Sequence, residues 1–254
     1  MSWAARRRFI ILLILGLVAA AFITMIGIAT FYKTPTCTDG VQNQDETGID
    51  CGGSCTYLCT ADTLAPTVLF TQAFPGSEGN TNVVAEVENK NATAAAKNVP
   101  YRITLYGTDR SFIQTVTGTI DLPPLTTVPV FASNISSGKQ TAGTAFLSID
   151  GSGLRWFSLP QDPRIVPLVA TPSLSGSTSS PRVSAALTNP SALPLLNIRA
   201  VALVHDETGN VIAASSTIIP TIAAQGEATA TFTWSSPFPR VPALIEVVPI
   251  VSLP

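Results

Sequence analysis

Three consecutive arginines, Arg6, Arg7 and Arg8, are followed by an uncharged run of 24 residues from Phe9 to Tyr32, FIILLILGLVAAAFITMIGIATFY. At ~1.5 Å rise per residue a helix of that length spans ~36 Å, enough to cross a ~30 Å hydrocarbon core. A cleaved secretory signal has an apolar stretch of only ~7–15 residues, and Ala19-Ala20-Ala21 lies inside the run, so it reads as an uncleaved anchor. With three arginines ahead of it and only Lys33 close behind, residues 1–8 are expected in the cytoplasm and residues 9–32 in the membrane. Everything beyond Lys33 is then outside, a single-pass cell-membrane topology. Trp3 at one end and Phe31-Tyr32 at the other suit interfacial aromatic anchors.

The remainder of the 254-residue chain carries little charge information. The whole chain's net charge of −2 and the singly scattered lysines and arginines beyond the apolar run offer no basic surface for nucleic acid. Short alternating runs rich in Thr, Ser, Pro, Val, Ala and Ile, without a long helical pattern, point to an all-β outer body.

All four cysteines, Cys37, Cys51, Cys55 and Cys59, fall in one short stretch, CTDGVQNQDETGIDCGGSCTYLC. An even number just outside a membrane reads as a two-disulfide module over residues 37–60, with three pairings open. So short a segment cannot bury a core, and each staple is worth ~2–4 kcal/mol. A zinc site of four thiolates competes with this, but the spacing is not a pair of CxxC knuckles.

The same stretch holds Asp39, Asp45, Glu46 and Asp50, with Asp62 just beyond, and no lysine or arginine between residues 37 and 62. Asn43, Asp45, Thr47 and Gly48 have the 1, 3, 5, 6 spacing of an oxygen-ligand calcium loop, but the twelfth position is Ser54, not Glu. Two readings stay open: an acidic solvated turn, or a calcium-stabilised loop using Asp39, Asn43, Asp45, Thr47 and Asp50. Calcium is the only cofactor the chain suggests. The pattern CxDGxxNxxExxxDCGGxCxxxC resembles a short cysteine module of extracytoplasmic multidomain surface proteins, which implies a location and a structural role.

An internal repeat organises the rest. Val83, Ala85, Val87 and Asn89 share one face of an alternating run, and Val183, Ala185, Leu187 and Asn189 repeat it 100 residues later. Asn98, Val99, Tyr101, Ile103 and Leu105 are matched by Asn197, Ile198, Ala200, Ala202 and Val204. Val128, Val130 and Phe131 have counterparts in Ala228, Ala230 and Phe232. Both copies close on Ser-Leu-Pro. Two copies with about seven short strands each suit two tandem Ig-like antiparallel β-sandwiches, over 64–160 and 164–254. A repeat this long exceeds a solenoid unit, so each sandwich is expected to fold alone, as beads on a string, with the boundary near Gln161-Asp162-Pro163.

These copies resemble the bacterial FxLYD family and related CARDB-type sandwiches, through VAEVENKN…KNVPYRITLYGTDRSFI and VSAALTNPS…LNIRAVALVHDETGNVI. The first copy keeps Leu105-Tyr106 but has Gly107 for the expected Asp. The second keeps Asp206 and Gly209 but has Val204-His205 for Leu-Tyr. The resemblance implies non-catalytic extracytoplasmic modules that bind or space.

Individual residues need no enzyme. Asn89 and Asn189, ending inward-facing strands, are expected to satisfy backbone groups through the side-chain amide and a left-handed φ. Asp206-Glu207-Thr208-Gly209-Asn210 reads as a hairpin turn with Gly209 at positive φ. The only histidine is His205, expected on the surface beside that turn, so a Ser-His-Asp or Cys-His mechanism has a single residue to rest on. No HExxH, GxSxG, Walker or dinucleotide motif occurs, and no catalytic residue or small-molecule substrate is assigned. Trp156 and Trp234 read as packing residues. Asn91-Ala92-Thr93 and Asn134-Ile135-Ser136 are glycosylation sequons in a host that uses them.

One asymmetry separates the copies. The outward face that carries Arg102, Thr104 and Tyr106 in the first carries Val201, Leu203 and His205 in the second, with Leu195 and Leu196 nearby. Either a loop or the neighbouring domain covers this apolar face, or it is a partner-binding surface. The whole reads as a membrane-anchored, extracytoplasmic, non-catalytic structural or binding component of the cell envelope whose partner is another envelope protein or polymer. An accessory subunit of a membrane transport or secretion complex is the alternative; an envelope-polymer hydrolase would need a carboxylate cleft that the sequence does not display.

Overall fold

The structure is a computed structural model that describes residues 3–31, 36–43, 45–76, 79–138, 140–151 and 154–254. Two compact units divide at Cys55, the first running up to that residue and the second from Thr56 to Pro254. In the first, one helix, α1 (Trp3–Phe31), takes in the arginines as well as the apolar run. Its stretch Arg6–Thr30 is long and apolar enough to cross a membrane. Thr24 and Thr30 donate their hydroxyls back to the carbonyls of Ala20 and Ile26, which satisfies both donors within the helix. Tyr32 and Lys33, used above for the outer flank, lie outside the described residues.

Among the described residues the second unit holds fourteen strands. The first copy supplies β1 (Thr67–Pro75), β2 (Asn80–Asn89), β3 (Ala94–Gly107), β4 (Phe112–Leu122), β5 (Thr126–Ser136), β6 (Ala142–Ile149) and β7 (Trp156–Ser158). The second supplies β8 (Leu168–Val169), β9 (Ser173–Ser177), β10 (Ser180–Thr188), β11 (Leu195–His205), β12 (Val211–Ile222), β13 (Glu227–Thr233) and β14 (Leu244–Ile250). Sheet order repeats between the copies. β1-β2-β5 faces β4-β3-β6, with β7 paired to β3; β13-β10-β8, with β9 paired to β10, faces β12-β11-β14. All named pairings are antiparallel.

The alternation read from the sequence sets both cores. Val83, Ala85 and Val87 are sealed against Ile103, Leu105, Leu122 and Trp156 in the first sandwich. Val183, Ala185 and Leu187 meet Ala200, Ala202, Ile222 and Phe232 in the second. Trp156 and Trp234 are packing residues, Trp234 donating its indole N–H to the Ala214 carbonyl and meeting Phe238 edge to face.

Asn89 and Asn189 act as matched pegs. The Asn89 amide donates to the carbonyls of Ala94, Leu122 and Pro123, and the Asn189 amide to those of Leu193, Ile222 and Ala223. Their side-chain oxygens accept from the backbone of Asn91 and Ser191. Each peg therefore ties the end of one sheet to the facing sheet inside a dry core, where unpaired carbonyls are costly. The left-handed φ expected of them is found elsewhere, at Asn98 in β3 and Asn197 in β11, both +52°. An amide buried in a strand must keep extended backbone to reach across the sandwich, so the turn conformation passes to the exposed asparagine further on.

The two sandwiches are not beads on a string. The outer face of β1-β2-β5 packs on the outer face of β12-β11-β14 through Val84, Phe70, Phe74 and Phe131 on one side and Val201, Leu203, Ala214, Val211 and Ile250 on the other. The result is four stacked sheets in one body. The two middle sheets are covered on both faces, which is why β11 is buried continuously from Ala200 to Val204 and β2 from Val83 to Ala85. A hydrogen bond reinforces the joint, the Leu253 N–H donating to Asp121, while Arg164 ties the connecting segment to the second copy by donating to the Val251 carbonyl.

Candidate functional site

In the cysteine module one bridge joins Cys37 to Cys55, and Cys51 and Cys59 are disulfide-bonded as well, leaving no free thiol. Cys37, Glu46 and Cys55 lie close together, but two sulfurs bonded to each other are not thiolate ligands. The carboxylates close the turn instead. Asp50, at φ +56°, accepts from the N–H groups of Asp39 and Gly40. Asp39 accepts from the Val41 N–H and the Asn43 amide, Glu46 from the Asn43 N–H, and Asp45 from the Ser54 hydroxyl. That last bond holds the Asp45 carboxyl below its ordinary value. Among the described residues Asp39, Asp45 and Asp50 do not gather their oxygens around one point, and Asn43 spends its amide on Asp39. Gly52 and Gly53, both at positive φ, bring the backbone so close to Thr47 and Asp45 that no Cβ fits.

Of the two readings of the apolar face, covered or partner-binding, the structure gives the first, with the neighbouring copy as the cover. Val201 and Leu203 are fully buried in the joint between the sandwiches, covered by Val84 and the phenylalanines of the first copy. They are therefore not a partner-binding surface. His205 continues the same face to the edge of the joint, where it is half-buried rather than on the surface. Its Nε2 is shut off from solvent without a hydrogen-bond partner, 3.8 Å from the Glu246 carboxylate, while Nδ1 lies 3.3 Å from the Gly209 carbonyl. Burial, and then the Glu246 charge, push the Glu86 carboxyl on β2 above its ordinary value, with His205 pulling the other way. Among the described residues no serine, threonine or cysteine is hydrogen-bonded to His205. The hairpin beside it forms as expected, Gly209 at φ +81°. Asp206 is consumed by the Thr208 hydroxyl, Arg240 and two turn N–H groups, which hold its carboxyl far below the usual range.

The copies enclose a cleft of about 320 Å³ beside the apolar joint, which the sequence reading did not find. β3, β4 and β5 of the first sandwich contribute Tyr101, Asp121 and Phe131; β11, β14 and the segment after it contribute Arg199, Val248 and Ile250. Alternation places Arg199 on the same face as Val201 and Leu203, so it projects toward the first sandwich. Burial raises the Tyr101 hydroxyl above its ordinary value, and Arg199 opposes that rise. The left-handed asparagines, Asn98 and Asn197, stand at the rim. The recurring N-V and N-I pairs marked these positions in sequence, but only the stacking of the sheets turns them toward a common space.

The two sequons differ. Asn91 is buried, its amide bonded to the Leu64 carbonyl and the Asn89 oxygen and its own oxygen accepting the Leu64 N–H, so the folded chain offers no acceptor nitrogen there. Asn134 is exposed. Neither a protein-family model nor a curated protein sequence matches the chain.

Proposed function

We propose that this chain is a membrane-anchored, extracytoplasmic, non-catalytic component of the cell envelope, holding a rigid β-rich body that engages another envelope protein or polymer. The observation that carries the reading is the fusion of two sandwiches into one four-sheet body by a buried apolar joint. Such stiffness suits a spacer or binder, because a rigid body presents its surface without ordering cost. The apolar helix of Arg6–Thr30 and the fully oxidised cysteines support an anchor and an oxidising compartment. The resemblance to FxLYD and CARDB-type modules points the same way.

The test is crosslinking of the chain in intact host membranes, repeated with α1 replaced by an unrelated membrane helix. Partners kept after the exchange are expected. Partners lost with the native helix would refute the reading and assign recognition to the helix, as in an accessory subunit of a membrane complex.

A further inference from the structure

We infer that the cleft between the sandwiches is a binding site for a monoanionic carboxylate carried on a small apolar body, with Arg199 receiving the carboxylate. Charge accounting carries this first. Three charged side chains line the cleft, Asp121, Arg164 and Arg199. Asp121 is satisfied by the N–H groups of Asn98 and Leu253. Arg164 is forked onto Asp162, with Nε at 3.0 Å and Nη2 at 2.7 Å, and its Nη1 is spent on Val251. The Arg199 side chain, exposed at the cleft, makes no ion pair and no hydrogen bond among the described residues. It is the cation of the cleft without a fixed acceptor, and a guanidinium fork matches a carboxylate with two parallel hydrogen bonds.

The surroundings select the rest of the ligand. The Tyr101 hydroxyl and the side-chain amides of Asn98 and Asn197 are likewise unengaged among the described residues, and all three line the cleft. Phe131, Val248 and Ile250 supply apolar wall, and about 320 Å³ is the lower end of the size range of small-molecule sites. The bond from the Leu253 N–H to Asp121 ties the walls together across the sandwiches, so the cleft exists before any ligand arrives.

This inference stands apart from the envelope role and is tested on the full chain in lipid nanodiscs by NMR, following the Arg199 Nε–H and Tyr101 signals. The probes are N-acetyl-phenylalanine, its C-terminal amide, an N-acetylated tripeptide ending in phenylalanine, and inorganic phosphate. N-acetyl-phenylalanine is expected to bind saturably, at least tenfold tighter than its amide or phosphate, and Arg199→Gln is expected to lose that margin while its remaining spectrum stays folded. A tripeptide that binds more tightly than the single residue identifies a chain terminus as the source; one that binds less tightly identifies a free small acid. Equal binding of acid and amide, phosphate preferred over carboxylate, an unchanged Arg199→Gln, or no saturable shift with either acid overturns the assignment.

Discussion

Leu203→Ala tests the joint between the sandwiches. Leu203 is fully buried and packs with Val84, Val201 and Ala214. Truncation removes three carbons, about 2.4 kcal/mol of transfer free energy at ~0.8 kcal/mol per methylene. A cavity term adds to this, because β11 is hydrogen-bonded to β12 on one side and β14 on the other and cannot sink into the gap. The expected total is about 3–5 kcal/mol. The assay is urea unfolding of the full chain in mild detergent, in a Trp3→Phe background, so that fluorescence reports Trp156 in the first sandwich and Trp234 in the second. Both signals should move together in one transition, with the midpoint lowered by about 1–2 M. A cycle with Val84→Ala should show a coupling of about 0.5–3 kcal/mol. A midpoint change under about 0.3 M, or two separate transitions with only the Trp234 signal displaced, would refute the shared joint.

Asn189→Ala should cost about 2–4 kcal/mol in the same assay by stranding buried carbonyls, and a loss below ~1 kcal/mol would show that water replaces the peg. For Glu86 the folded-state value is raised, so its contribution favours folding at low pH and is lost as pH rises through that value. Glu86→Gln should therefore stabilise the body at pH 7, with the gain shrinking towards pH 4; a destabilised variant at pH 7 would sink this account. Mass spectrometry of the unreduced cysteine module should find Cys37 linked to Cys55 with or without chelator, and any other partner for Cys37 would overturn the bridge.

The outer body shows what a β sequence reveals. Alternation at Val83–Asn89 and Val183–Asn189 marks inward faces because the period of two is a local property of extended backbone. The apolar face of Val201 and Leu203 was equally visible, and so was the need to cover it. The neighbouring domain was one of the covers the sequence offered, but which face of that domain was not legible, since Val84 follows the inward Val83 and points to the opposite side of β2. The cysteine module behaved similarly: its acids were plain in sequence, but whether they meet around an ion or cap backbone N–H groups depends on the path of the turn.

By itself, then, the sequence determined the membrane-length helix, the oxidised module and two sandwiches with matched asparagine pegs, all consequences of local length, spacing and periodicity. The tertiary structure alone decided that the sandwiches join, that Leu203 is core and Arg199 is not, and that a cleft opens beside them. Those outcomes depend on which outer faces meet, and apolar burial, having no direction of its own, leaves that choice to the shapes of whole sheets.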